Sequence, residues 1–397
     1  MKEIRKCKVP FFLIFIFLCV LKCYYEEIFM LVKNNYNECL TNLACSIRKY
    51  FGLDYKHNTL KYIDDLLEEK QPKNVVCILF DGMGSNIIDK VLDKDDFFIK
   101  NRKHILTSVF PATTTAATTS MRTGLNPCEH GWLGWNTYIK PIDKIITLFN
   151  NCEYNKEEVS EEFLNVKNLL VTKTIVNEIN EKGQFSGVEL FPFGENNYDG
   201  LDDMLNRISI ECSKDGKKYV YAYDDNPDHA MHEFGCYSDE SVNLIKERNA
   251  KVEELCNKLE DTIIFVIADH GHLDSEYLYL DDCPELIDML ERDISLEQRT
   301  VSFKIKDGFH EKFLKMFTDI FGEYFTLYDK EEVINSKLFG DGEENILFRD
   351  ALGDFIAISE NSNKCLSYHN GVHFASNHAG YLDDEIYIPL IVIDKTK

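Results

Sequence analysis

Six side chains stand where this sequence could hold metal. Asp81 closes an apolar run and opens Asp81-Gly-Met-Gly84; Asp228 and His232 are spaced D-x-x-x-H, with Gly235 close behind. Asp269 and His270 are adjacent and followed by Gly271, and His378 lies in Ser376-Asn-His-Ala-Gly380. Carboxylate oxygen and imidazole nitrogen are the donors that Zn²⁺ takes when no thiolate is offered, and two such sites close together make a two-metal clamp. These three Asp and three His suffice for two ions with three protein groups each, leaving positions open for a substrate. Each residue alone has an ordinary explanation. An Asp after a strand caps a turn, a D-x-x-x-H spacing arises by chance, and a lone His is often a satisfied loop residue. It is their concurrence in one chain that points to chemistry.

A hydroxyl-rich segment, Phe110-Pro-Ala-Thr-Thr-Thr-Ala-Ala-Thr-Thr-Ser120, adds a candidate nucleophile. A strand over 104–109 is expected to end at Pro111, and a helix of small residues to begin near Thr113. A hydroxyl at that helix start sits in a positive backbone field, with free N–H groups facing an incoming anion. Threonine is a weak nucleophile until a metal lowers its pKa. The competing explanation is that the run only caps and packs a helix.

The elements that must position these residues alternate. Asn74–Phe80 is a continuous apolar run that ends in Asp81; Tyr219–Tyr223 runs into Asp224 and Asp225, and Thr262–Ala268 into Asp269. Runs of this kind are buried parallel strands. Ile386–Ile393 is a further strand, with Pro389 placing it at an edge or a bulge. Helices are expected at 34–51, 58–69, 84–94, 172–182 and 238–260. The expected fold is therefore α/β: a mostly parallel central sheet with helices on both faces, with ligands gathering beyond the carboxyl ends of the strands. Residues 140–170 and 283–365 break the rhythm. The second stretch carries short strands (300–305, 325–328, 354–358) and helices (308–321, 330–337), and reads as a smaller inserted α+β cap. The expected division is a helical extension over 30–73, a catalytic domain over 74–282 and 366–397, and the cap over 283–365.

Composition bounds the partners. With 68 acidic and 44 basic side chains in 397 residues, the formal charge is −24. That excludes non-specific binding to a nucleic-acid polymer or an anionic membrane, and an anionic substrate would need a cation to receive it. The 13 cysteines are scattered without C-x-x-C pairs, so reduced, mostly buried thiols are expected rather than a disulfide framework. The acidic patch at 153–162 reads as solvated surface.

The first 29 residues differ from the rest. Lys2, Arg5, Lys6 and Lys8 precede the apolar run Phe11–Leu21, which has the shape of a signal peptide or short anchor. The run is short for a membrane span, and no small-x-small cleavage site follows. Glu26-Glu-Ile-Phe-Met30 is also what a purine-rich ribosome-binding site, a spacer and a start codon would encode. The expectation is a start at Met30 and a cytoplasmic protein. The alternative is a membrane-tethered or exported protein, and only then a membrane contact.

Taken in order, the motifs resemble a family. Asp81-Gly-Met-Gly, Phe110-Pro-x-x-Thr leading to Thr123-Gly-Leu-x-Pro-x-x-His130-Gly, Pro227-Asp228-x-x-x-His232, Asp269-His-Gly and His378-x-Gly380 are similar to the type I phosphodiesterase/nucleotide pyrophosphatase family of the alkaline phosphatase superfamily. The resemblance implies a phosphoester hydrolase with two divalent metal ions, zinc expected and manganese the alternative, acting on a small anionic phosphoester. It implies that Asp228, His232 and His378 hold one metal and that Asp81, Thr114, Asp269 and His270 surround the other. Thr114 is the implied nucleophile by counting back from Thr123-Gly-Leu, with Thr113 and Thr115 its neighbours in the count. Three residues past Thr114, Ala117 offers a phosphoryl oxygen no side-chain donor, so the preference between diester and monoester stays open. A phosphomonoesterase of the same superfamily is the runner-up, followed by a non-catalytic metal-dependent binding protein. A sulfatase would need a C/S-x-P-x-R segment, which Cys128-Glu-His-Gly does not supply.

Overall fold

The computed structural model describes residues 33–194 and 196–396. The apolar run 11–21 and the expected start at Met30 lie outside them. Among the described residues, no helix is long and apolar enough to cross a membrane.

The main sheet has six strands: β1 (Asn74–Phe80), β2 (Arg102–Thr107), β3 (Ser186–Leu190), β4 (Lys218–Asp224), β5 (Thr262–Ile267) and β6 (Tyr387–Asp394). They lie in the order β2-β6-β5-β1-β4-β3. β1 pairs in parallel with both β4 and β5, β3 pairs in parallel with β4, and β6 runs antiparallel to β5 and β2. Every residue of β1, β4 and β5 is buried, which is why these strands read as unbroken apolar runs. Their carboxyl ends lie side by side at the centre of the sheet. Because β6 is antiparallel, it starts at that same edge, and the segment carrying His378 arrives there just before it.

Pro389 lies where β6 is paired only with β2; pairing with β5 begins at Ile391, past a register shift at Leu390/Ile391. A residue without an N–H is thereby kept out of the two-sided part of the ladder.

A second, antiparallel sheet orders Thr326–Asp329, Phe355–Ile358, Thr300–Phe303, Ser295–Leu296, Asn136–Ile139, Lys144–Thr147 and Cys152–Glu153. It is built from two distant stretches of chain that meet where Leu296 pairs with Asn136. The helix His310–Phe321 packs Phe313, Phe317 and Phe321 with Phe303 and Phe325 of this layer. The extension before β1 forms helices Leu40–Tyr50 and Lys61–Lys70. The first is almost wholly buried, and its Arg48 donates from Nη1 to the carbonyl of Thr123 at 2.9 Å while pairing with Glu178. A cation at the carboxyl end of the Thr114–Thr123 helix complements its dipole and braces it. The ten cysteines among the described residues are free thiols, all but Cys283 buried.

Candidate active site

The acidic residues arrive through the strand ends. Asp81 follows β1, Asp228 opens the short helix Asp228–Phe234 after β4, and Asp269 and His270 follow β5. Two glycines let these turns close on one another: a Cβ on Gly84 would stand 2.4 Å from the Cα of Gly271, and one on Gly271 would stand 1.9 Å from the carbonyl oxygen of Asp384. Gly in Asp81-Gly-Met-Gly84 and in Asp269-His-Gly271 is therefore set by close backbone approach.

All six sequence-predicted ligand residues meet at this edge. Donor atoms of Asp228, His232, His272 and His378 lie within 4.8 Å of one another, as do those of Asp81, Asp228 and His270, with Asp228 common to both groups. His232 Nε2 is 3.3 Å from Asp228 Oδ2, and His270 Nε2 is 3.1 Å from Asp81 Oδ1. Asp269 stands in neither group. Its Oδ1 accepts from the N–H groups of Gly82 and His270, and its buried Oδ2 has no hydrogen-bond partner. The His270 and His378 rings stack at 3.8 Å.

The donor set fits divalent cations. Asp269 Oδ2 is buried without a hydrogen bond, and Asp81 Oδ1 has only the His270 ring nitrogen at 3.1 Å beside it, a costly state for carboxylate oxygens unless a cation takes them. Burial and the Asp81 charge push the Asp269 carboxyl well above the usual range. Burial alone would lower His270, but Asp269 and Asp81 outweigh it and raise the imidazole to about 10. Without metal, then, the pocket takes up a proton as its cation. His378 is held well below the usual range by burial and by the neighbouring His270 charge, so it stays neutral and offers a lone pair.

Of the three consecutive threonines, Thr114 alone faces this cluster. Its Oγ1 is 3.3 Å from Asp81 Oδ2 and 3.3 Å from His270 Nε2. It occupies the first turn of the Thr114–Thr123 helix, with Thr113 as cap. Thr113 Oγ1 donates instead to Glu297 at 2.6 Å, while Thr115 Oγ1 is buried without a partner. The later hydroxyls of the run, on Thr118, Thr119 and Thr123, donate to carbonyls one turn back.

Three residues at the site carry no local sequence signal or only a faint one. Tyr223, the penultimate residue of β4, donates its hydroxyl to Asp81 Oδ2 at 2.5 Å; in sequence it reads as one more buried strand aromatic. His272 follows the Asp269-His270-Gly271 turn, and its proximity to that turn was the only available hint. Glu297 comes from the second sheet. Thr114, Asp228, His232 and His378 open on a cavity of about 900 Å³ that Trp135, Tyr154, Glu297 and Tyr368 also line. A second cavity of about 500 Å³ begins at Thr115 and is lined by Arg122, Trp132, Lys167, Phe191 and Phe193.

Glu297 accepts at Oε1 from Thr113 and from the Trp135 N–H, both at 2.6 Å. Burial still raises its carboxyl from 4.5 to about 7. A raised carboxyl binds its proton more tightly in the folded state, so its stability contribution is whole below pH ~4.5 and is lost as pH rises through ~7. Glu297→Gln is therefore expected to make the metal-free protein more stable than wild type at pH 8. Because the side chain lines an open cavity, screening holds the gain to about 1–2 kcal/mol. Urea unfolding at pH 8 and pH 4.5 checks this: the difference should vanish at the lower pH, and an equal difference at both values would refute it.

The sheet order, the strand-end carboxylates and the antiparallel final strand define an alkaline-phosphatase-like α/β fold. The family profile described as Type I phosphodiesterase / nucleotide pyrophosphatase matches residues 75–382, and the chain belongs to that family, whose members are hydrolases of phosphoric ester bonds. Similar solved structures include murine ectonucleotide pyrophosphatase/phosphodiesterase 5, as an inactive variant in complex with AMP (TM-score 0.61, 17% identity, covering 81% of this chain and 90% of that one). Human ectonucleotide pyrophosphatase/phosphodiesterase 5 is similar at TM-score 0.58 and 17% identity, covering 80% and 87%. Phosphonoacetate hydrolase from Sinorhizobium meliloti 1021, in complex with phosphonoformate, is similar at TM-score 0.59 and 15% identity, covering 81% and 90%. No curated protein matches the sequence.

Proposed function

We propose that this protein is a two-metal phosphodiesterase of small phosphoesters, cleaving them through a covalent phosphoryl intermediate on Thr114. The observation that carries the reading is the placement of one threonine hydroxyl, at a helix start, 3.3 Å from both Asp81 and His270 amid buried carboxylate oxygens. Asp228, His232 and His378 would hold one ion, and Asp81, Asp269 and His270 the other beside Thr114; the all-oxygen-and-imidazole donor set suits zinc, with manganese as the alternative. Two divalent cations bound there supply charge neutralisation for the phosphoryl group and a lowered pKa for the threonine hydroxyl.

The chain's own groups do the positioning. Thr114 Oγ1, beside Asp81 and His270, loses its proton to solvent water in the cavity and attacks phosphorus in line, while the bond to the leaving oxygen breaks and that oxygen departs as an anion or takes a proton from water. The free N–H groups of the first helical turn face the phosphoryl oxygens. Tyr223 holds Asp81 Oδ2 in place through its hydroxyl. Water then attacks the phosphorus of the threonyl adduct, and the Thr114 oxygen leaves as a hydroxyl once reprotonated. The cavity of about 900 Å³ is of the size that takes a small organic ester. The similar structures solved with AMP and with phosphonoformate carry small phosphorus-containing anions. A catalytic unit over 74–282 and 366–397 with a cap over 283–365 belongs to the same proposal.

The test is turnover of p-nitrophenyl phosphate against bis-p-nitrophenyl phosphate and thymidine 5′-p-nitrophenyl phosphate, after chelation and after zinc is restored. Zinc-dependent diester turnover is expected. Preference for the monoester would make the enzyme a phosphatase on the same metals, and no turnover of any ester by the zinc-loaded protein would leave a binding protein.

A further inference from the structure

The cluster around Asp228 holds one imidazole beyond those that the motifs supply. His272 is buried, with Nε2 2.9 Å from Asp228 Oδ1. The other three imidazoles share a feature that it lacks. Nδ1 of His232, His270 and His378 lies against a backbone carbonyl, of Ser376 at 2.8 Å, Gly271 at 3.0 Å and Ala112 at 3.1 Å respectively. A carbonyl only accepts, so Nδ1 of each neutral ring carries the proton and Nε2 presents a bare lone pair, as a ligand must. The hydrogen-bond neighbour of His272 Nδ1 is the Cys236 thiol, at 3.9 Å. Asp228 Oδ1 is a carboxylate oxygen and only accepts. The ring proton then sits on Nε2, facing Asp228.

We propose that His272 is a positioning residue for the metal site: its Nε2–H donates to Asp228 Oδ1 and turns Oδ2 toward the ion that His232 and His378 share. The inference rests on the metal-site reading above. A fourth protein ligand on that ion would close it to substrate, whereas an N–H on the carboxylate leaves a coordination position free. A hydrogen-bonded ligating carboxylate is also the arrangement by which outer residues commonly orient metal ligands.

Cobalt binding to the full chain, followed by visible absorption in competition with a chelator, tests this without reference to turnover. His272→Gln keeps an N–H donor but is a poor ligand, and His272→Leu keeps neither. The Gln variant is expected to retain the wild-type band pattern and an affinity within about threefold, and the Leu variant to retain the bands but bind about 10–100-fold more weakly. Altered bands in His272→Gln would make His272 a ligand and overturn the inference, as would wild-type affinity in His272→Leu. Should the Leu variant fail to fold, His272→Phe, which likewise lacks the N–H donor, replaces it, with the same loss of affinity expected. A wild-type protein that takes up no cobalt would sink the metal site itself, and this inference with it.

Discussion

Thr114→Ala is expected to lower kcat for zinc-dependent ester hydrolysis by about 10³-fold or more, and Thr114→Ser to stay within about 100-fold of wild type, because serine keeps a hydroxyl where the alanine variant has only bound metal and water. Stability should barely move. The Thr114 hydroxyl touches only Asp81 and His270, so its removal is expected to change unfolding by about 1 kcal/mol or less. Metal content should also persist, since the carboxylates and imidazoles stay in place. Acid quenching during turnover adds a second readout. A diester substrate should leave a phosphoryl group still carrying its organic substituent on the peptide containing Thr114; a monoester should leave phosphate alone. Unchanged turnover in Thr114→Ala, with loss in Thr113→Ala or Thr115→Ala, would show that the nucleophile had been counted wrongly. The structure speaks against that, because Thr113 is engaged with Glu297 and Thr115 faces the other cavity.

The parts of this site that could be read from sequence are those whose neighbours are local. Asn74–Phe80, Lys218–Asp224 and Thr262–Ile267 are buried on both faces, so each appears as an unbroken apolar run, and the acid after each run sits at the carboxyl end of a central strand. The strand Ser186–Leu190 could not be read that way. It is the edge of the sheet, only partly buried, and its Ser-Gly-Val-Glu-Leu composition shows neither a run nor a clean alternation. The helix Gly200–Ser213 also went unread: only Met204, Leu205, Ile208 and Cys212 of its fourteen residues are buried, too sparse a stripe to stand out. The second sheet escaped for a different reason. Leu296 pairs with Asn136 across a long stretch of chain, and nothing near either residue encodes that meeting. Glu297 reaches Thr113 only because the meeting occurs. Tyr223 reaches Asp81 because β4 pairs with β1 in a register that sets Leu79 beside Tyr223. Element type is thus a local property, whereas contacts between distant residues depend on register, which composition does not reveal.

Breaking the Arg299–Glu385 pair should be the most damaging single change to the fold outside the metal cluster. Both side chains are fully buried and bonded as a fork, Nε to Oε1 at 2.7 Å and Nη2 to Oε2 at 2.9 Å. Arg299 directs two of its remaining three donors to the carbonyls of Lys364 and Ser362. Glu385 accepts from the N–H groups of Gly380 and Leu382, and its own carbonyl accepts from Gly271. One pair therefore ties the second sheet to the segment that carries His378 and to the turn that carries His270. A Cβ at Gly380 would lie 2.7 Å from Glu385 Oε2 and 2.8 Å from Arg299 Nη2, so the glycine of the His378 motif is there to let the fork through. Arg299→Leu and Glu385→Leu each strand a buried charge, and each is expected to cost about 3–5 kcal/mol in unfolding free energy. The double leucine variant should recover part of that loss, because with both charges gone neither is left without a partner. Denaturant unfolding of the four proteins gives the coupling directly. Single variants within about 1 kcal/mol of wild type would show that the pair is better solvated than its burial implies. A chelator competition on the same set adds the functional link: if the pair fixes the His378 segment, the folded fraction of each single variant should release zinc more readily than wild type does.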